Sequence, residues 1–146
     1  MFDIGALRKY LQGTKEPERG YLREVGGRVE FIPDAKGYLH IFKHPEPNRF
    51  YGIGADVAEG KADCDYSVGM VGSDDFALHC MWYGHIDPDL FGLELVKLAK
   101  YYNEAYLGVE NNNHGLATLK AIQKEEYWNL YFAKTYDMIT DKKKKK

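Results

Sequence analysis

Four acids crowd one short turn. Asp56, Glu59, Asp63 and Asp65 all fall within YGIGADVAEGKADCDYSVGMV, the stretch from Tyr51 to Val71. Like charges held this close raise one another's pKa unless a cation sits among them. The turn is therefore either a well-solvated hairpin loop or a metal site. Another acid, Glu110, ends a second apolar run, AYLGVE, well downstream. If those runs are parallel neighbours, Asp56 and Glu110 meet at the carboxyl edge of a sheet, where open α/β sheets bind ligands. Two carboxylates there suit magnesium, which takes oxygen ligands and usually keeps several waters. A pair of such ions about 4 Å apart serves phosphodiester cleavage. Gly54, Ala55, Ala58 and Gly60 leave room beside the acid for a nucleic-acid backbone, although glycine near a strand end equally marks a turn or bulge.

The elements that must position these acids follow from periodicity. Phe50 to Val57 reads as a buried strand, Tyr66 to Gly72 as a second and Ala77 to Tyr83 as a third. Their short connections allow only antiparallel pairing. Asp87-Pro88 opens a helix with a core stripe at Phe91, Leu95, Leu98 and Tyr102. Ala105 to Glu110 is the next strand. A helix from about His114 to Glu126 follows, with Leu116, Leu119 and Ile122 on one face, and Asn129 to Lys134 reads as a last strand. The order β-β-β-α-β-α-β describes a mixed α/β sheet with flanking helices. Residues 1–49 read as a leader: an amphipathic segment, a glycine-bearing linker to residue 27, and a β-hairpin of RVEFIP and GYLHIFK around Asp34 to Gly37. Residues 50–146 form the main domain.

Composition bounds the function classes. The chain has 146 residues, 45% hydrophobic and 14% aromatic, which gives room for one core. A net charge of -2 makes no case for nucleic-acid binding by the chain as a whole, so any such surface is a local patch. Cys64 and Cys80 form no CxxC pair or zinc pattern, as in a reduced cytosolic protein with idle thiols. No apolar run approaches the roughly 20 residues of a membrane helix. The terminal DKKKKK reads as a solvated tail.

Two motifs together resemble a known family. Asp56, Ala58, Glu59 and Gly60, then Asp65, Tyr66 and Ser67, are similar to the opening of the nuclease domain of tailed-phage terminase large subunits. Glu110, Asn112 and Gly115 resemble that family's second motif, a strand ending in Glu-x-Asn-x-x-Gly before a helix. The resemblance covers about Phe50 to Lys134. It implies a ribonuclease H-like fold and a two-metal endonuclease cutting concatemeric viral DNA during genome packaging in the host cytoplasm. It also implies catalytic and metal-binding roles for Asp56, Glu110 and Asp65, with Mg2+ or Mn2+ as cofactor and Glu59 as a supporting acid. Double-stranded DNA is the implied substrate, with the portal protein and small terminase subunit as partners. Within the second motif, Asn113 is the expected cap of the following helix, Asn112 an orienter of Glu110 or phosphate contact, and Gly115 a close-approach residue. His85 is placed outside the site.

The sequence departs from that family in two ways. It carries no GxxxxGK[ST] loop, so no ATP site of that kind is expected. The family's third metal-binding acid lies on a closing helix beyond the last strand. Here only Asp137 and Asp141 follow, which reads as a truncated nuclease domain with reduced metal affinity. The rival readings are another ribonuclease H-like nuclease of the resolvase or transposase type, and a catalytically incomplete docking module for packaging partners.

Overall fold

The computed structural model describes residues 3–131. The elements run α1 (Ile4–Gln12), β1 (Glu18–Val25), β2 (Arg28–Pro33), β3 (Leu39–Ile41), β4 (Tyr51–Asp56), β5 (Ser67–Ser73), β6 (Leu78–Gly84), α2 (Pro88–Tyr101), β7 (Tyr106–Val109) and α3 (Gly115–Lys124). All strands join one sheet in the order β2-β1-β3-β6-β5-β4-β7. β4, β5 and β6 form the expected antiparallel meander, and β7 lies parallel to β4. This mixed α/β architecture is the one expected from the periodicity of residues 50–131. Of the last expected strand, Leu130 bridges Leu107 in parallel, while Phe132 to Lys134 lie outside the described residues.

The leader departs from its expected pairing. RVEFIP and GYLHIFK do not pair with each other: β2 pairs with β1, and β3 pairs with β1 on its other side. The hairpin turn is instead Gly26-Gly27, both at positive φ (57° and 77°). Two consecutive left-handed residues suit the tight hairpin turn that matches strand twist, and glycine adopts them without steric cost. The turn at Asp34 to Gly37 carries the chain across β1 rather than back along β2. Because β3 also pairs with β6, the leader's strands continue the main sheet. Leu22, Leu39 and Ile41 belong to the same buried cluster as Ile53, Val71 and Leu107.

Helices α2 and α3 cover one face of this sheet. Phe91, Leu95, Leu98 and Tyr102 are fully buried, as their helical spacing requires. Each such side chain contributes roughly 1.5–3 kcal/mol through burial. Tyr102 donates its hydroxyl to the Lys43 carbonyl at 2.8 Å, so its polar end is satisfied. The inner face of α3 differs from expectation: Gly115, Thr118 and Ile122 are buried, whereas Leu116 is half exposed. Thr118 can be buried because its hydroxyl donates to the Pro88 carbonyl at 2.6 Å. The opposite sheet face leaves Met70, Tyr83 and Tyr106 exposed. α1, capped by Asp3, buries no residue. No helix among the described residues is long and apolar enough to cross a membrane.

Candidate active site

Strand β4 alternates cleanly. Tyr51, Ile53 and Ala55 are buried under the helices, while Gly52, Gly54 and Asp56 face the open side. In the parallel ladder Ala55 lies opposite Val109, and the Glu110 N–H donates to the Ala55 carbonyl at 3.0 Å. Asp56 and Glu110 therefore end adjacent strands whose backbones run about 4.8 Å apart. Both residues are exposed. The parallel neighbours expected from the sequence are present, and with them the two strand-end acids.

Beside Asp56 opens a cleft of about 320 Å³. Asp56, Glu59 and Asp65 line it from the acidic turn, Asn112 and His114 from the approach to α3. Glu110 and Asp63 do not line it. Among the described residues, no group of three or more His, Cys, Asp or Glu side chains is arranged to hold a metal ion. The cleft also takes in Cys64, Tyr66 and His114, to which sequence reasoning gave no role at the site. Their adjacency to the two motifs, in DCDYS and NNNHG, is the signal that could have found them.

Side chains on either side fix the local backbone. Ser67 is buried and accepts a hydrogen bond from the Ala58 N–H at 3.0 Å, which pins the start of the acidic turn to β5. Asn112, rather than the expected Asn113, caps the approach to α3. Its Oδ1 accepts from the His114 and Gly115 N–H groups at 3.1 and 2.8 Å, and its Nδ2 donates to the Val57 carbonyl at 3.4 Å. One amide thus joins the segments that follow Asp56 and Glu110. At Gly115 a Cβ would lie 2.0 Å from the Glu110 carbonyl oxygen, so only glycine lets α3 begin this close to the strand end. Gly60 has φ of 86°, and a Cβ there would lie 2.5 Å from the Ile86 carbonyl. The turn is seated against the connection between β6 and α2.

The charges at this edge are largely unanswered. Lys61 pairs with Glu59 at 2.5 Å and holds that carboxyl below its ordinary pKa. Asp56, Asp65 and Glu110 make no ion pair among the described residues. Cys64 is partly exposed with its sulfur 3.7 Å from Glu59, whereas Cys80 is buried and its thiol is pushed up to about 12. Both cysteines are free thiols, and of the two Cys80 is the buried one. His85 does not line the cleft, but its ring lies 3.9 Å from that of Tyr66, which does.

No protein-family model matches the sequence. Solved structures do match the fold. The large terminase nuclease from thermophilic phage G20c is 24% identical, with a TM-score of 0.57 over 68% of this chain and 52% of that one. The same nuclease with bound magnesium is 20% identical, with a TM-score of 0.59 over 75% of this chain and 57% of that one. The large terminase nuclease domain of Thermus phage P74-26 is 18% identical, with a TM-score of 0.53 over 75% and 55%. The chain thus spans a little over half the length of these nucleases. Its mixed sheet and helices have the ribonuclease H-like fold of phage large-terminase nuclease domains.

Proposed function

We propose that this chain is the metal-dependent endonuclease domain of a phage terminase large subunit, acting on double-stranded DNA during genome packaging. The observation that carries the reading is the pair of exposed acids, Asp56 and Glu110, ending adjacent parallel strands with Asp65 on the neighbouring cleft wall. Asp56, Glu110 and Asp65 would hold the cation. As hard oxygen donors without a lysine or arginine partner, they fit magnesium or manganese, and magnesium is commonly held by only one or two carboxylates plus waters and substrate phosphate. The large terminase nuclease of phage G20c, solved with bound magnesium, cobalt and zinc, supports the use of a divalent ion. When bound, the ion supplies charge that activates water and stabilises the leaving oxygen of the phosphodiester.

The chain's own residues set the stage for that chemistry. Asn112 holds the two acid-bearing segments in one relation, and Ser67 fixes the exit of β4. Lys61 offsets Glu59 and so leaves less negative charge facing an incoming phosphate. Water would attack the phosphodiester and leave a 3′-hydroxyl. The host cytoplasm is the corresponding compartment, and the portal protein and small terminase subunit are the proposed packaging partners.

A second reading, a docking module without catalysis, draws on the lack of a three-residue metal group among the described residues. Nicking of supercoiled plasmid separates the two. The nuclease reading expects relaxation in manganese or magnesium that chelator stops and Asp56→Ala abolishes. Metal-independent DNA binding without any nicking would favour the module instead.

A further inference from the structure

We infer that Tyr83, Tyr66 and His85 form a stacking platform for an unpaired DNA base beside the acid cleft. The inference rests on the nuclease reading for DNA as the ligand and adds to it that a base leaves the duplex to reach the stack. Tyr83 lies in β6 and His85 just past its end, two residues on, so their side chains leave the backbone about 6.6 Å apart. That gap admits one aromatic ring, and Tyr66 fills it. Its centroid lies 4.3 Å from that of Tyr83 at 17°, and 3.9 Å from that of His85 at 36°.

Offset stacking and edge-to-face contact are both ordinary geometries for aromatic pairs, and the two are distributed unevenly here. Most buried aromatic pairs here meet edge to face, as Tyr51 does with Tyr102 at 73° and with His79 at 69°, while Trp82 and Phe91 are tilted at 46°. Tyr66 and Tyr83 are the only near-parallel aromatic pair among the described residues, and they are 45% and 39% exposed. An exposed parallel stack is the surface on which nucleic-acid bases continue, whatever their sequence. Its position fits the same role. Tyr66 follows Asp65 and lines the cleft with Asp56, so a strand whose phosphate reaches the acids has a base within reach of the rings. Arg19 and Arg23 share that open sheet face through the register Arg19–His40–Met81–Met70–Gly54. Arg23 is paired there with Glu30 at 3.3 Å, whereas Arg19 donates to the Gly37 carbonyl and makes no ion pair among the described residues.

The test uses the whole chain in chelator, with a 12-nucleotide single strand carrying one 2-aminopurine and a matched duplex. Binding of the strand quenches the 2-aminopurine. Tyr66→Leu and Tyr83→Leu weaken strand binding about tenfold, in line with base–aromatic stacking, and change duplex binding less than twofold. Tyr66→Phe restores quenching. Unquenched binding by the unmodified protein, or Leu variants that bind the strand unchanged, overturns the proposal. So does equal loss of strand and duplex, which would make the stack a staple for the turn. Plasmid nicking in manganese is read separately. Nicking without quenching removes the platform and keeps the nuclease, whereas stack-dependent strand binding without nicking does the reverse.

Discussion

The two ends of β4 are both rich in acids, yet they are built differently. At its amino end, Arg49 reaches Glu46, Asp74 and Asp75 at 2.6, 3.2 and 2.9 Å, and only 21% of its side chain is exposed. Asp75 also accepts from the Ser73 hydroxyl and the Ala77 N–H, and its pKa is lowered to about 2. Every acid there has a partner. At the carboxyl end, Asp56, Asp65 and Glu110 have no ion pair among the described residues. A count of acids would rate the ends alike; unmatched charge distinguishes them, and it marks the carboxyl end as the one suited to a cation.

The sharpest way to break this contrast is to remove one acid from each end. Asp56→Ala should lower plasmid nicking by about a hundredfold or more, since even outer-sphere changes at metal sites cost 10–100-fold, while Asp74→Ala should leave the rate within twofold. Equal rates for the two variants would remove the functional asymmetry. Next comes Gly115→Val, whose side chain must displace the Glu110 carbonyl. Overpacking of this kind costs about 1–3 kcal/mol, so both the melting temperature and nicking should fall, whereas a valine at the open position of Gly54 should spare the melt.

A smaller effect concerns acid stability. Asp75 has its folded pKa depressed, so its stabilisation is complete above the usual carboxylate range and fades as pH falls toward about 2. Asp75→Asn should therefore lower the melting temperature at pH 7 and flatten its acid decline, while Asp56→Asn should leave the melt unchanged or raise it by relieving repulsion. Thermal melts from pH 2 to 7 check both. The smallest effect is expected from Lys61→Ala. With Glu59 released, manganese should bind roughly two- to fivefold more tightly, within the range of exposed ion pairs; weaker binding in calorimetry would instead make Lys61 a support for the turn.

Much of this was legible in the sequence because it rests on alternation and strand-end position. The period-two pattern of Tyr51 to Asp56 specifies both the strand and which face its acid takes, and the helical spacing of Phe91, Leu95, Leu98 and Tyr102 specifies the covering helix. Strand β1 was hidden because one of its two buried positions is Gly20, which carries no apolar signal and reads as linker. The face of α3 was misplaced because a threonine is buried there, made tolerable by a bond to Pro88 that no local pattern announces. Among three consecutive asparagines, composition cannot choose the cap; the backbone turn selects Asn112. The stack of Tyr66 between Tyr83 and His85 joins residues that only the β5–β6 register brings together.

The seat of Gly60 against Ile86 ties two connections together. With backbone this close to backbone, any side chain at Gly60 must displace the segment that launches α2. A side chain gained at this one glycine would thus be felt in a connection that bears none of the carboxylates of the cleft.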